Sequence, residues 1–446
     1  MKTKNKAIYI LLFFLLILFL VFNYIDPFLL WDENVYLANA RSHISSTNFT
    51  EDFRFPLLEY IIAVVWFFTG ESIFIAKLIM IFFTLASIYF FYLIVKEYFN
   101  KKNVLLATIL FSLSPLIISW GFKVNTDIPA MLFMSISYYL IIKQIDNVEF
   151  LAGIFFALSF LTKFPFALFG IAIFIHFIIR KEFKKLLLFF SGFFLALIPW
   201  MLYNYIHYFN ILWDLVIQYS VVKTYTTLEP ILKQIINLFY IIGILILFIP
   251  FGISGLIKEK KNYIIIFIYC ILFIIYYFFI TKAKIIRYYF SILPFLYIVI
   301  YSGIMQISKR INQDSVKKIM YAIITASVIL IIIPPIISIT KRGFCTKDGA
   351  TSNAISYMQL NKDDYTSVIS NIWPYFGYYN NIKTYSLWTD NLGLQLGRYK
   401  PDYIIYHDRD GLLFNKNQLS QNNKLKLEKE IKGKCNEQIF IYKVLY

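Results

Sequence analysis

Long apolar runs separated by short clusters of charged residues dominate the first three quarters of the chain. The first run covers residues 7–22 and follows three lysines, but no small-residue cleavage site comes after it, so we interpret it as a retained helix rather than a signal peptide. Ten further runs lie at roughly 73–95, 104–119, 127–142, 149–162, 165–179, 186–204, 231–257, 263–280, 288–307 and 319–340. Several approach the ~20 residues that cross a hydrocarbon core. The pattern predicts an all-α polytopic membrane protein with about eleven transmembrane helices.

A shorter apolar run at 57–69 decides the predicted orientation. It is only 13 residues long, so we expect it to lie along the interface or re-enter rather than to cross. With the N-terminus inside and this run uncrossed, the inner segments contain 18 Lys and Arg residues and the outer loops contain 8. This distribution agrees with the positive-inside rule. We therefore predict a multi-pass protein of the cell (plasma) membrane, with a cytoplasmic N-terminus and an extracytoplasmic C-terminus.

The composition becomes soluble in character after about residue 340. We predict a transmembrane catalytic domain at 1–340, with an outer first loop at 24–56, and an extracytoplasmic domain at 341–446. Short strands are predicted at TSVIS (366–370), DYIIY (402–406) and QIFIYKV (438–444). Helices are predicted at 350–360, 389–399 and 415–430. The C-terminal region is thus expected to be a small α/β domain, and it contains no Gly-rich phosphate loop that would indicate a nucleotide site.

The formal net charge of +17 would suggest a nucleic-acid partner in a soluble protein. Here 59% of the residues are hydrophobic, and the lysines cluster between the apolar runs. Membrane orientation explains that placement better. No nucleic-acid partner is therefore predicted.

Carboxylates recur at the predicted outer ends of the helices. Asp32 and Glu33 follow the first apolar run, and Asp127 opens a later one. A carboxylate at mid-membrane costs roughly 2.5–3.5 kcal/mol on insertion scales, so the presence of these residues needs an explanation. One explanation is that they cap helices, Asp32 for a helix over 33–45 and Asp127 for a helix that has Pro129 in its first turn. Capping and catalysis are compatible for both residues.

Cations are predicted on the same outer side. Arg54 lies in the first loop, Lys163 lies between two short runs, and Lys284 and Arg287 precede another helix. Lys163 alone could snorkel to the surface, and the other two could be interfacial anchors. The informative observation is that these cations and the carboxylates are all predicted on the same side of the membrane. This placement predicts one outward-facing cavity that is lined by acidic and basic side chains.

These residues fall in short motifs that resemble those of the GT-C membrane glycosyltransferases, over roughly residues 7–310. The similarity is to the protein O-mannosyltransferase and aminoarabinose-transferase type, including the rhizobial lipopolysaccharide-transferase-like branch. The motifs are Asp32-Glu33-Asn34-Val35-Tyr36, Arg54-Phe55-Pro56-Leu57, Thr126-Asp127-Ile128-Pro129, Thr162-Lys163-Phe164-Pro165, Pro199-Trp200 and Arg287-Tyr288-Tyr289. Phe55 replaces a proline of the family's basic motif, and Phe164 replaces the glycine of its Thr-Lys-Gly-Pro motif.

The resemblance implies transfer of a hexose or pentose from a polyprenyl-phosphate-linked donor to an acceptor hydroxyl of a lipid, glycan or protein. The residues suit that chemistry. Asp32 can act as general base, with Glu33 and Asp127 as further catalytic carboxylates. The donor phosphate is expected to contact Arg54, Lys163, Lys284, Arg287 and Tyr288, and Tyr36 is expected to position substrate. Phosphate leaves as an anion, so no catalytic acid is needed, and a single displacement predicts inversion at the sugar carbon.

No cofactor is expected to be required. The chain has four histidines, and the two in predicted outer loops, His43 and His207, lack ligand-like spacing. Asp32 and Asp127 could still hold a divalent ion through oxygen ligands.

The alternative function is a transporter or flippase of lipid-linked sugars. Transporters favour midplane sites and repeated halves. This chain has no internal repeat, and its charges lie at helix ends, so the enzyme is the better interpretation.

The three cysteines divide by predicted location. Cys270 falls in an apolar run and is expected to be a buried thiol. Cys345 and Cys435 both fall in the extracytoplasmic region, where disulfides form in many cells. Their spacing does not show whether their Cα atoms lie within the roughly 4.4–6.8 Å that a disulfide needs, so the sequence leaves that bridge open.

Overall fold

The computed structural model describes residues 6–51, 54–143, 147–225, 230–258, 263–281, 285–311, 313–361, 365–387, 392–408 and 419–446. The chain forms two compact units. The first comprises Met1–Leu20, Phe53–Leu58 and Leu78–Ile337, and the second comprises Val21–Asp52, Glu59–Lys77 and Ser338–Tyr446.

Helices account for most of the structure. Helices α1 to α16 are, in chain order, Lys6–Ile25, Trp31–Ser42, Leu57–Thr69, Ile73–Tyr98, Lys101–Ser112, Pro115–Trp120, Asp127–Lys143, Glu149–Thr162, Ala167–Ile179, Phe183–Tyr208, Trp213–Tyr225, Ile231–Ile242, Ile249–Lys258, Tyr263–Ile274, Leu293–Arg310 and Asp314–Thr346. Short 3-10 helices cover Phe164–Phe166, Gly243–Phe248 and Ile286–Ser291, and a π-helical segment covers Ile275–Ile280.

Six helical stretches within the described ranges are long and apolar enough to cross a membrane. They are Lys6–Ile25, Ile73–Tyr98, Phe183–Tyr208, Ile231–Ile257, Tyr263–Ile280 and Asp314–Leu360. Four shorter apolar helices accompany them, at Leu57–Thr69, Asn103–Ser112, Glu149–Thr162 and Phe164–Ile179. The predicted polytopic helical architecture is confirmed. The number of crossings and their orientation stay predictions.

The predicted run at 104–119 is divided in two because Ser114 and Pro115 restart the helix. Helix α5 ends at Ser112, and α6 begins at Pro115. The Ser114 hydroxyl accepts a hydrogen bond from the Ile117 N–H at 3.4 Å. Proline suits the first helical position because its missing N–H would have no intrahelical partner there. This break places Trp120 at the end of a short, separate helix.

Helices α8 and α10 approach closely at two glycines. A Cβ on Gly153 would lie 1.9 Å from the Phe189 carbonyl oxygen, and one on Gly192 would lie 2.0 Å from that of Phe150. Neither position can accept a side chain without separating the two backbones, a packing that is common between membrane helices. The close contact fixes the N-terminal half of α8 against α10.

The second unit contains a five-stranded mixed sheet among its described residues. Strands β1 to β5 are Ser367–Ser370, Lys383–Ser386, Tyr403–His407, Leu425–Lys432 and Gln438–Val444, in the spatial order β2-β1-β3-β5-β4. Strand β1 pairs in parallel with β2 and β3, whereas β5 pairs antiparallel with β3 and β4. Helices α17, α18 and α19 are Ala350–Leu360, Trp373–Asn380 and Leu392–Tyr399.

The strands alternate their side chains between two apolar layers. Ile405, Ile439 and Ile441 pack with α17 and α18 on one face, whereas Ile404 and Phe440 pack with α19 on the other. This period of two is the geometry of a strand. The predicted small α/β domain is confirmed, with strands where TSVIS, DYIIY and QIFIYKV were expected.

The predicted helix at 415–430 is wrong. Within the described residues, which resume at 419, Leu425–Lys432 forms strand β4 at the edge of the sheet. Most of its side chains are exposed, and lysine and glutamate are common on edge strands because they discourage pairing with other chains. From the sequence alone, the same charged residues are also compatible with a solvent-exposed helix, which is why this segment was predicted as one.

The bridge that the sequence left open is present. Cys345 and Cys435, which are 90 positions apart in the sequence, form a disulfide with a Cα–Cα separation of 5.7 Å. It joins the end of α16 to the residues that precede β5. Cys270, in α14, is a free thiol.

Candidate functional site

A buried carboxylate, Asp127, begins helix α7 in the first unit. It is fully buried, but it does not cap the helix. Asn125 does so, because its Oδ1 accepts hydrogen bonds from the N–H groups of Asp127 (3.0 Å) and Ile128 (3.3 Å). The capping role predicted for Asp127 therefore belongs to Asn125. This arrangement leaves the carboxylate of Asp127 for other contacts.

Two cationic side chains converge on Asp127. The Lys163 ammonium forms a hydrogen-bonded ion pair with Oδ1 of the carboxylate, and Nη1 of Arg287 lies 3.9 Å from Oδ2. Lys163 has an extended backbone conformation and connects α8 to the 3-10 helix at Phe164–Phe166. Arg287 lies in the 3-10 helix before α15. Three segments that are distant in sequence thus meet at one point. Lys163 does not extend away from the protein, as the snorkelling interpretation would require.

Aromatic rings support both cations. The Lys163 ammonium lies 5.3 Å from the ring centroid of Tyr288, and the Arg287 guanidinium carbon lies 4.8 Å from that of Trp120. Both distances fall within the roughly 6 Å range of cation–π attraction. Tyr288 in turn packs edge-on against Tyr277, with ring centroids 5.5 Å apart. The rings orient the charges without neutralising them.

The electrostatics of the cluster point to a ligand. Asp127, Lys163 and Arg287 together carry a formal charge of +1. The Lys163 and Arg287 side chains are 15% and 19% exposed, and that of Asp127 is 1% exposed. Within the described part of the chain, Oδ2 of Asp127 is buried without a hydrogen bond. A buried acceptor without a donor is costly and calls for an explanation, and a bound hydroxyl or water would supply the missing donor.

The loop containing Arg54 lies beside the end of α8. Phe55 is 2% exposed, and its ring packs against those of Phe160 (centroids 5.8 Å) and Trp200 (6.0 Å). Phe160 lies on α8, three residues before Lys163, which follows the end of that helix. Phe55, where the resembling motif has proline, therefore anchors the Arg54 loop near the cluster through an aromatic contact. Trp200 is itself fixed by Asp214, whose Oδ2 accepts from its indole N–H at 2.7 Å.

The other predicted catalytic residues lie in the second unit, on helix α2. This helix begins at Trp31, so Asp32 occupies its first turn and is not its cap. Oε2 of Glu33 accepts the N–H of Leu30 at 2.7 Å, which satisfies one of the unbonded donors at the helix start. Asp32 is half-buried, and Glu33 and Tyr36 are buried. The capping role expected of Asp32 is thus performed by its neighbour.

The remaining site predictions are a cation and a metal. Lys284 lies outside the described residues. Across the ranges that the structure describes, there is no group of three or more His, Cys, Asp and Glu side chains suited to a metal ion. The divalent-ion role of Asp32 and Asp127 stays a prediction.

Three residues near the cluster were missed from the sequence. Asn125 caps α7 and also donates to the carbonyls of Trp120 and Lys123, at 3.1 and 2.7 Å. Trp120 supports Arg287, and Lys123 is fully buried in the same loop. The segment WGFKVNTD contains all three, and a lysine and an asparagine directly before an acidic motif are the signal that could have found them.

Comparison with known proteins gives one family match. Residues 54–204, which include Arg54, Asp127 and Lys163, match the family model described as dolichyl-phosphate-mannose-protein mannosyltransferase. No curated protein matches the sequence.

Two solved structures share the fold. The archaeal oligosaccharyltransferase AglB from Archaeoglobus fulgidus, in complex with an inhibitory peptide and a dolichol-phosphate, matches 88% of this chain and 68% of its own, with a TM-score of 0.58 and 12% identity. The apo crystal structure of the Archaeoglobus fulgidus oligosaccharyltransferase matches 90% of this chain and 69% of its own, with a TM-score of 0.60 and 11% identity. At these identities the likeness is one of fold.

Proposed function

We propose that this chain is a membrane glycosyltransferase of the GT-C superfamily, supported by the family-model match over residues 54–204 and by the shared fold. It transfers a sugar from a polyprenyl-phosphate-linked donor to an acceptor hydroxyl at the outer face of the membrane. The donor lipid lies in the bilayer with its phosphate at headgroup depth. This function explains why cations and carboxylates are placed at the ends of apolar helices. It also explains why the cluster combines a positive charge with aromatic surfaces.

The observation that carries the proposal is the convergence of Lys163 and Arg287 on the buried carboxylate of Asp127. Two cations around one carboxylate favour binding of an anionic group. Arginine can engage phosphate oxygens through a planar fork, whereas lysine acts as a point charge. Asp127 orients both. Arg54, on the adjacent loop, and Lys284 are the further phosphate contacts that we propose.

The proposed reaction is a single displacement at the anomeric carbon. Asp32 takes the proton of the acceptor hydroxyl, whose oxygen forms a bond to that carbon. The bond from the carbon to the phosphate oxygen breaks, and its electron pair leaves with polyprenyl phosphate. Glu33 and Tyr36, on the same helix as Asp32, position the base and the acceptor. Attack opposite to the leaving group inverts the configuration.

The test uses the full chain in lipid nanodiscs with a radiolabelled polyprenyl-phosphate sugar and an extract of the source cell envelope as acceptor. The wild-type protein should release polyprenyl phosphate and transfer label. Asp127→Asn should lower the rate about 100-fold, because the amide no longer holds both cations; this is the size of loss seen when one charge-stabilising group is removed from an active site.

Asp314→Asn is the matched control, since Asp314 is 90% exposed and pairs only with Lys317 at 3.7 Å within the described residues. It should transfer at the wild-type rate. Wild-type transfer by folded Asp127→Asn, or no transfer by the wild-type protein with any polyprenyl-phosphate sugar, would falsify the proposal.

A further inference from the structure

The second unit contains a cavity of about 240 Å³. It is lined by the chain that leads into α2, by the end of α16, by the start of α17 and by the ends of strands in the sheet. Pockets that enclose drug-sized ligands measure roughly 300–1,000 Å³. The cavity is smaller than these, so it suits a single small ring rather than a long chain.

The polar lining combines hydrogen-bond donors and acceptors. Arg342, Thr351, His407 and Glu437 all line the cavity. Among the described residues, the Arg342 guanidinium donates to one side chain, from its Nε to Oδ2 of Asp26 at 2.5 Å. The two terminal nitrogens of Arg342 therefore retain N–H donors for a ligand. The carboxylate of Glu437 can accept hydrogen bonds, and the hydroxyl of Thr351 can donate or accept them.

His407 is held in position by its own backbone. Its N–H donates to Oδ1 of Asn371, and its carbonyl accepts from Nδ2 of the same residue, both at 2.8 Å. The residue is 4% exposed, and it ends strand β3. This lining residue is therefore fixed at the end of a regular strand, which favours a precise position.

The apolar part of the lining is aromatic. Phe28 and Tyr375 both line the cavity, and their rings stack with centroids 5.8 Å apart and an interplanar angle of 17°. Trp31 packs edge-on against Trp373 beside them, at 4.4 Å. Rings next to a mixed set of donors and acceptors suit a ligand with an apolar face and a hydroxylated edge.

We propose that this cavity binds one sugar ring of the acceptor. The balance of charges decides between a sugar and a phosphate. The charge of Arg342 is paired with Asp26, and Glu437 adds a further carboxylate that would repel a phosphate. Sugar hydroxyls, in contrast, can donate to Glu437 and accept from Arg342. The assignment of this ring to the acceptor rests on the proposed function. It predicts that the acceptor is a glycan or glycolipid and not a bare polypeptide.

The position of the cavity along the chain supports that assignment. Leu29 and Leu30 line it, and Asp32 lies in the first turn of the helix that begins directly after them. A sugar bound there lies at the N-terminal end of the helix that carries the proposed base. Acceptor binding and deprotonation are then linked through one short segment.

Saturation-transfer NMR on the full chain in nanodiscs tests the inference, with the methyl glycosides of glucose, mannose and galactose as probes and inorganic phosphate as competitor. At least one glycoside should bind, and phosphate should not displace it. Thr351→Phe fills the cavity from the first turn of α17 and should weaken probe binding at least about tenfold. Glu437→Gln keeps the volume, removes the negative charge and should weaken binding several-fold. Ser356→Phe, on the exposed part of the same helix, should bind as the wild type.

The outcomes separate this inference from the proposed function. Asp127→Asn should lose transfer and still bind the probe, whereas Thr351→Phe should lose the probe. Three results would each refute the sugar site, even where transfer persists. They are that no glycoside binds, that phosphate displaces the bound glycoside, or that folded Thr351→Phe and Glu437→Gln both bind the probe as the wild type does. If the probe binds and Thr351→Phe removes it while no polyprenyl-phosphate sugar is turned over, the sugar site stands and the proposed function falls. An unchanged Cys345–Cys435 disulfide and melting temperature show that each variant is folded.

Discussion

Two ion clusters with aromatic support, one in each unit, differ in how their charges are matched. In the second unit, Arg41 pairs with Glu71 in a two-pronged contact that includes Nε to Oε2 at 2.8 Å, and its Nη1 donates to the Tyr378 carbonyl at 2.8 Å. The Tyr378 hydroxyl also donates to Glu71, at 3.2 Å. In the first unit, one carboxylate, Asp127, faces two cations and retains an oxygen without a hydrogen bond among the described residues.

The difference separates a structural ion pair from a candidate binding site. The Arg41 guanidinium lies 4.4 Å from the Tyr378 ring centroid, and its charge is matched one to one. Burial lowers the pKa of Arg41, but the hydrogen bonds and charge of Glu71 outweigh burial and raise the pKa above its ordinary value. That cluster is complete without a ligand. In the Asp127 cluster, one carboxylate faces two cations and, among the described residues, keeps an oxygen without a hydrogen bond. A bound hydroxyl or water would supply the missing donor.

The largest effect on transfer is expected within helix α2, which carries both Asp32 and Arg41. Asp32→Asn keeps the side-chain size but cannot take a proton, so transfer should fall roughly 10²–10⁴-fold while donor-lipid binding is retained. Arg41→Lys should lower stability and leave transfer by the folded protein unchanged. The loss of the planar guanidinium should reduce the free energy of unfolding by about 1–2 kcal/mol. Turnover and thermal melts of both variants measure this contrast, and an Asp32→Asn enzyme as active as the wild type would refute the base assignment.

A smaller effect is expected on donor affinity at Lys163. Lys163→Ala removes one charged contact, so the Kd for a fluorescent polyprenyl phosphate should rise about 10- to 100-fold. Lys143→Ala is the matched control, because that lysine pairs with Glu97 at 3.1 Å and is 40% exposed. Titration of both variants in nanodiscs gives the comparison. Equal affinities would show that the Asp127 cluster is as structural as the Arg41 cluster.

A still smaller effect is expected from changing the shape of a cation without its charge. Arg287→Lys should weaken donor binding roughly three- to tenfold, since lysine lacks the planar fork and stacks less well on Trp120. Trp120→Phe should give a similar loss by weakening the cation–π contact. The two changes together should cost less than the sum of the single effects, because both act on one contact. Additive losses in a double-mutant cycle of donor Kd values would contradict the geometry.

The smallest effect on transfer is expected from the disulfide. Replacing Cys345 and Cys435 together by serine removes a crosslink over a long loop, worth about 4–5 kcal/mol in the chain-entropy model. The second unit should therefore melt at a lower temperature or denaturant concentration. Transfer measured well below that transition should fall less than in any of the site variants above, because the two cysteines belong to neither ion cluster and are only chain neighbours of residues that line the proposed sugar cavity. Loss of transfer by folded double-serine protein would show that the bond also shapes the site.

Local patterns in the sequence predicted much of the fold. The long apolar runs predicted the polytopic helical architecture, and the short apolar segments TSVIS, DYIIY and QIFIYKV predicted strands β1, β3 and β5 within a residue or two at each end. These predictions succeed because burial in a bilayer or a sheet core imposes its own periodicity on the chain. The motif around Asp127 likewise identified it as an unusual residue.

Errors arose where the outcome depends on which segments meet. Strand β4 was predicted as a helix because its charged side chains suit either a solvated helix or an edge strand, and only its pairing with β5 distinguishes them. Strand β2, at the other edge, was not predicted at all. The cap of α7 was assigned to Asp127, since an aspartate suits that position, whereas Asn125 occupies it.

The sequence by itself determined the membrane class, the small α/β region and the residue types available for chemistry, because these follow from local composition and period. Tertiary structure alone decided that Lys163 and Arg287, 124 positions apart in sequence, both approach Asp127. It also decided that Cys345 pairs with Cys435 and that a cavity forms ahead of α2. The physical reason is that contact between distant segments depends on how whole helices and strands pack, and no local pattern records which partner a charged or reactive side chain will meet.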